Sequence, residues 1–251
     1  MTWGWHFARS DLRLQYSDGA LIEPGYALVV EGPLRLCHWG LHASKLALDA
    51  LQYAPAKTAA TRVRLGGRTI HGDDKSVAHE RYCAWALTPQ QTGQVLHEFA
   101  CWCAEQVMHL VPVAQRPTCV AAITAKRGWL RGEVSALDLA AARAAASAAA
   151  RDAVARGIPF RILGAASDAA IEAASDAARY AAASDAARDG CYRGRDAASA
   201  AAWAAARAAA RAAASDAASY AARSAARAAA RSDQNRQLEK MLKAARKCGA
   251  S

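Results

Sequence analysis

Two short stretches set thiols and imidazoles close together. Cys37-His-Trp-Gly-Leu-His42 and Cys101-Trp-Cys103 hold the residue types that ligate zinc. Their spacing, Cys-x4-His and then a distant Cys-x-Cys, is not the paired spacing of a structural zinc site. Cysteine commonly packs as a small apolar residue, so these thiols are expected in a core and no metal is assigned. Gly72-Asp-Asp-Lys75 sets two carboxylates beside an ammonium, a grouping suited to holding a cation or moving a proton. A polar turn ahead of a strand accounts for the same residues. No GxSxG, HExxH, GxGxxG or phosphate-loop pattern occurs in the sequence, so local motifs assign neither a catalytic residue nor a cofactor.

Charge is the stronger signal. Residues 1–115 hold 10 Lys+Arg and 10 Asp+Glu, whereas residues 116–251 hold 22 and 12, so the second half carries the whole formal net charge of +10. Within it, residues 193–251 count 12 against 4, and a smaller cluster comprises Arg116, Lys126, Arg127 and Arg131. Such an excess suits sequence-independent, salt-sensitive contact with phosphates. The residues expected to touch nucleic acid or another partner are Lys126, Arg127, Arg131, Arg207, Arg211, Arg223, Arg227 and Arg231. Beyond Arg195 the only aromatics available for stacking bases are Trp203 and Tyr220.

The elements that must position these residues divide into two styles, with the break at Pro112–Pro117. Trp3–Phe7, Tyr26–Val30, Leu34–Ala43, Thr61–Leu65 and Arg81–Leu87 read as strands, with Gly66-Gly67 as a turn. Ser44 is the expected N-cap of a helix that Pro55 stops. Thr88-Pro-Gln-Gln91 is a capping-box start for a helix whose Val95, Phe99, Trp102, Cys103, Val107 and Leu110 share a face. That face is large enough for the first domain to fold without the tail. The second half is alanine-rich, and alanine is the best intrinsic helix former. Three helical blocks are expected: from Ser135 to Gly157, from Ser167 to Asp189, and from Arg195 onward, as one helix or as two divided at Ser232-Asp233. Their tetrad repeat, Arg or Ser and often Asp followed by Ala-Ala, winds its polar row around the helix instead of leaving one greasy stripe. Methyl side chains would let the second and third blocks pack closely, with arginines outside.

Cys37-His-Trp-Gly-Leu-His-Ala-Ser-Lys-Leu-Ala-Leu-Asp-Ala-Leu-Gln-Tyr-Ala54, with Gly25, Leu65-Gly66 and Asp74-Lys-Ser-Val-Ala78, resembles an uncharacterised domain family of phage and bacterial proteins. That family pairs a Gly-(Leu or Phe)-His-(Ala or Phe)-(Ser or Cys) strand with a Leu-Asp-Ala-Leu-x-Tyr helix, and its members also carry alanine-rich repeat tails. The resemblance covers residues 3 to 110 and implies a mobile-element setting but no activity. Gly40-Leu-His-Ala-Ser-Lys45 followed by Tyr53 is also similar to the strand and helix lining the NAD pocket of ADP-ribosyltransferases. That second resemblance implies an NAD site of His6, Gly40, His42, Ser44 and Tyr53, with His6, Ser44, Tyr53 and Glu80 as catalytic candidates. The sequence departs from that pattern in lacking His-Gly-(Thr or Ser) on the opening strand, in a longer Ser-to-Tyr spacing, and in placing Glu80 ahead of its strand.

The resulting expectation is an α+β protein: a compact mixed domain over 1–115, a basic linker or short helix over 116–134, and an alanine-rich helical bundle or extended array over 135–251. Its expected role is a non-enzymatic binding or scaffold protein of phage or mobile-element type. The head engages a macromolecular partner, a host protein or a second copy, and the basic helices mediate packing, oligomerisation or nucleic-acid contact. The alternative is an ADP-ribosyltransferase-like enzyme using NAD. With no charged leader ahead of an apolar run and no stretch near the ~20 apolar residues of a span, a cytoplasmic location without membrane contact is expected, the host cytoplasm for a phage protein. Seven scattered cysteines without a CxxC pair suit reduced thiols.

Overall fold

The computed structural model describes residues 2–14, 19–55, 57–155, 206 and 220–249. In chain order the elements are β1 (Thr2–Arg9), β2 (Ala27–Val29), β3 (Leu41–Ala43), α1 (Ala47–Leu51), β4 (Thr58–His71), β5 (Ser76–Ala86) and α2 (Pro89–Gln106). A 3-10 turn (Met108–Leu110), α3 (Arg116–Leu130), α4 (Ala136–Ala155) and α5 (Tyr220–Cys248) follow. The fold is mixed α/β. Its sheet is antiparallel with strand order β1-β4-β5-β2, and β3 also pairs with β5. Among the described residues no helix is long and apolar enough to cross a membrane.

The chain forms two compact units. One comprises Met1–Val95 with Leu238–Ser251, the other Leu96–Gln237. The division thus falls inside α2 and inside α5, whereas the composition changes at Pro112–Pro117. The head expected to stand without the tail incorporates the last turns of α5, whose Leu238 and Leu242 are fully buried.

In the first unit, β4 and β5 make a long hairpin turning at Gly72–Lys75, where the Gly72 N–H donates to the Lys75 carbonyl at 2.8 Å. The turn expected at Gly66-Gly67 is instead a bulge. The register shifts between Gly66 and Thr69, and Thr69–His71 resume pairing with Ser76–Ala78. Gly67 takes φ +65°, which its missing side chain permits. Residues 34–43, expected as one strand, are mostly turn: Arg35 bridges Trp39, and Cys37 at φ +67° and Gly40 at φ +116° break the extended run. Ser44 does not cap a helix. Its backbone exchanges two hydrogen bonds with Trp5, at 2.7 and 2.9 Å, and α1 starts at Ala47 without a side-chain cap. Pairing with Trp5 keeps Ser44 in the sheet, and the helix starts three residues later.

The capping box at Thr88 is present in both directions, with the Gln91 N–H donating to Thr88 Oγ1 at 3.1 Å and the Thr88 N–H to Gln91 Oε1 at 2.9 Å. Ser135 caps α4 by accepting from the Asp138 N–H at 3.1 Å. In the second unit α3 and α4 pack through Ala122, Leu139 and Ala146, with Ala125 and Trp129 beside them. Of the two arrangements open at Ser232-Asp233, helix α5 shows the unbroken one over Tyr220–Cys248, and Asp233 pairs along the helix with Arg236 instead of capping a new start. The second alanine block, most of the third up to residue 219, and the packing expected between them lie outside the described residues.

Candidate functional site

Antiparallel register decides which side chains meet on the sheet. Trp3 lies opposite Arg64 and Trp5 opposite Arg62 across β1 and β4; Arg62 lies opposite Trp85 and Arg64 opposite Tyr82 across β4 and β5. Strict alternation would send Tyr82 and Trp85 to opposite faces. The register shift at Arg62/Val63 gives β5 an extra residue, Ala84, and so brings both rings to the face that carries the two arginines.

The result is an alternating ladder of rings and guanidinium groups. Arg64 lies 5.2 Å from the Tyr82 ring and 5.9 Å from Trp3, while Arg62 lies 5.5 Å from Trp3 and 4.7 Å from Trp5. Trp5 meets Trp85 edge to face at 5.6 Å, and Arg246 of α5 covers Trp85 at 5.4 Å. Trp3 is 45% exposed, Arg62, Arg64 and Tyr82 are half-buried, and Trp5 is fully buried beneath them. Arg62 donates to the Gly4 carbonyl at 3.2 Å. Its burial lowers its pKa, and the Glu239 carboxylate opposes that shift. A shallow depression of about 310 Å³ is walled by Trp3, Arg62, Ala84, Trp85 and Arg246. Guanidinium groups held against rings keep their charge and their outward N–H donors. The signal available in the sequence was the pair of two-residue spacings, Trp3/Trp5 and Arg62/Arg64; the bulge that adds Tyr82 and Trp85 left none.

The basic cluster expected on the second unit is largely compensated. Lys126 is fully buried with its ammonium 4.3 Å from the Trp129 ring. Arg127 is held by Glu105 and by Glu98, the latter at 2.7 Å, and these carboxylates raise its pKa. Arg131 pairs with Glu133 at 2.7 Å. Arg227 and Arg231 are exposed on α5. Arg207, Arg211 and the side chain of Arg223 lie outside the described residues.

The residues read as an NAD site divide between two groups. His42 Nε2 accepts from the Cys37 N–H at 3.0 Å, and the His42 carbonyl accepts from Arg81 at 2.8 Å. Burial, Arg81 and His42 hold His6 well below its ordinary pKa; burial and Lys75 push His42 down to about 4. Tyr53 instead donates to Asp74 at 2.5 Å, and its ring lies 3.8 Å from the Lys75 ammonium. Gln52 donates to the same Asp74 oxygen at 2.6 Å. The Gly72–Lys75 turn thus anchors the end of α1. Ser44 is buried, Gly40 sits against Val77 and Leu34, and Glu80 lies over Gly66.

Both imidazoles are neutral in the fold, which sets a pH dependence. Because their folded pKa values lie below 6.5, the unfolded chain binds protons first as the pH falls. Stability is therefore lost from about pH 6.5 downward, toward pH 4 for His42. The urea midpoint is expected to fall between pH 7 and pH 5, and to fall less in His6→Gln. A flat wild-type profile would contradict this.

Burial also pushes up the thiols of Cys83, Cys101 (to about 12) and Cys103, which makes them poor nucleophiles and poor metal ligands. Among the described residues no three of His, Cys, Asp and Glu converge as a metal site. No protein-family model, curated protein or solved structure matches the chain.

Proposed function

We propose that the chain is a non-enzymatic binding protein whose ladder face takes single-stranded nucleic acid. Bases stack on the partly exposed rings of Trp3 and Tyr82, and phosphates meet Arg62, Arg64 and Arg246. The observation that carries this reading is the alternation of rings and guanidinium groups across three paired strands, the combination single strands require. The α5 sequence adds to it, with eight Lys and Arg against two Asp and Glu. The alanine-rich second half is read as an all-α array with a basic excess of its own, in a cytoplasmic, mobile-element setting. The ADP-ribosyltransferase reading draws no support from the geometry, because Tyr53 is engaged with Asp74 and Lys75 while His6 faces Arg81 and His42.

Filter binding of a labelled single-stranded oligonucleotide over a salt series tests the proposal. Retention is expected at low salt and is expected to weaken with a log–log slope of roughly −2, for about three phosphates neutralised. The double variant Arg64→Ala/Tyr82→Ala is expected to bind at least about tenfold more weakly. No retention at low salt, or a variant indistinguishable from wild type, overturns it.

A further inference from the structure

On the other face of the sheet lies a group that the ladder does not use. Arg81 on β5 pairs with Leu65 of β4 and Leu28 of β2, one step out of phase with the Arg64–Tyr82 pair. It is 2% exposed. One of its terminal nitrogens donates to the His42 carbonyl, and the other, Nη2, is buried without a hydrogen-bond partner among the described residues. Among the described residues no carboxylate forms an ion pair with it; His6, His42 and Cys83 feel its charge, and none of them is an anion in the fold.

A guanidinium cannot shed its charge at physiological pH, so burying it without a counter-ion is costly unless something else neutralises it. Beside it lies a cavity of about 220 Å³, walled by Arg81, Cys83, Ile22, Leu28, Leu21 and Tyr26, with Glu23 also on its lining. We infer that this cavity is a ligand site for a small monocarboxylate with a short apolar body, its carboxylate paired with Arg81. The planar fork of N–H donors matches a carboxylate. Leucine and isoleucine walls favour a ligand with an apolar tail over a bare inorganic anion. The Glu23 carboxylate disfavours a more highly charged ligand such as phosphate. This site is independent of nucleic-acid binding, because Arg81 and the ladder occupy opposite faces.

Isothermal calorimetry on the full chain, with straight-chain carboxylates from acetate to octanoate at fixed ionic strength, tests the inference. Inorganic phosphate and hexanol serve as controls for charge and for tail. Saturable binding is expected, strongest at an intermediate chain length, with phosphate and hexanol at least about tenfold weaker. Arg81→Gln is expected to lose at least about tenfold in affinity. Leu28→Trp, which fills the cavity and keeps the guanidinium, is expected to lose binding as well, and it decides the matter should Arg81→Gln fail to fold. Absence of saturable heat with every carboxylate, a preference for phosphate, or unchanged binding in Leu28→Trp overturns the inference.

Discussion

Trp5→Ala is expected to destabilise the sheet-bearing unit by roughly 3–5 kcal/mol, the cost of emptying a large aromatic site in a packed core. Trp5 is 0% exposed, meets Trp85 edge to face at 5.6 Å, and lies 4.7 Å from the Arg62 guanidinium. Its backbone also joins β1 to Ser44, so a collapsing cavity would disturb both neighbours. The indole N–H has no hydrogen-bond partner among the described residues. Trp5→Phe therefore gives up ring volume but no protein hydrogen bond, and roughly 1–2 kcal/mol is expected for it. Urea denaturation of the three proteins checks both values. Equal losses for Ala and Phe would show that the indole nitrogen matters more than the packing.

The second large effect belongs to a backbone position. Gly40 has φ +116°, a region closed to residues with a side chain, and a methyl group there would meet Val77 Cγ2 and come within 2.8 Å of Leu34 Cδ2. Backbone strain and overpacking together predict a loss of about 2–4 kcal/mol for Gly40→Ala. The consequence reaches further than stability. The residues that follow Gly40 include His42, whose ring nitrogen holds the Cys37 turn and whose carbonyl holds Arg81. Carboxylate binding is thus expected to weaken in the same variant. A urea midpoint within experimental error of wild type would show that the turn relaxes freely.

Local chemistry made part of this fold legible. The Thr88 and Ser135 caps follow from hydroxyl and amide groups reaching a neighbouring N–H, an interaction decided within one helical turn. The strands at Trp3–Phe7 and Arg81–Leu87 followed from β-prone residues and proved right in kind and off at the ends, whereas only the last three residues of Leu34–Ala43 are strand. Gly66-Gly67 misled because a glycine pair suits a bulge as well as a turn, and only the continued pairing of Thr69–His71 separates the two. Ser44 misled for a similar reason: a long-range partner, Trp5, holds its backbone in the sheet, and the helix starts only at Ala47.

For the site the divide is sharper. Counting charge pointed to the second half, yet Lys126 and Arg127 are engaged by Trp129, Glu98 and Glu105, partners distributed over two helices. The ladder takes its rings and two of its arginines from positions 3 to 85 of a neutral first half, where a tally of charges shows nothing. Its register depends on one added residue, Ala84, and composition carries no record of register.

The compact unit that holds the ladder is discontinuous, built from residues up to Val95 and again from Leu238. Trp85 and Arg246 come from its two portions, and so do Arg62 and Glu239. An alanine tetrad gained or lost between the two attachment points changes none of the residues that make those pairings. Replication slippage that resets the repeat number thus alters the length of the connection while the residues of the ladder keep their identities.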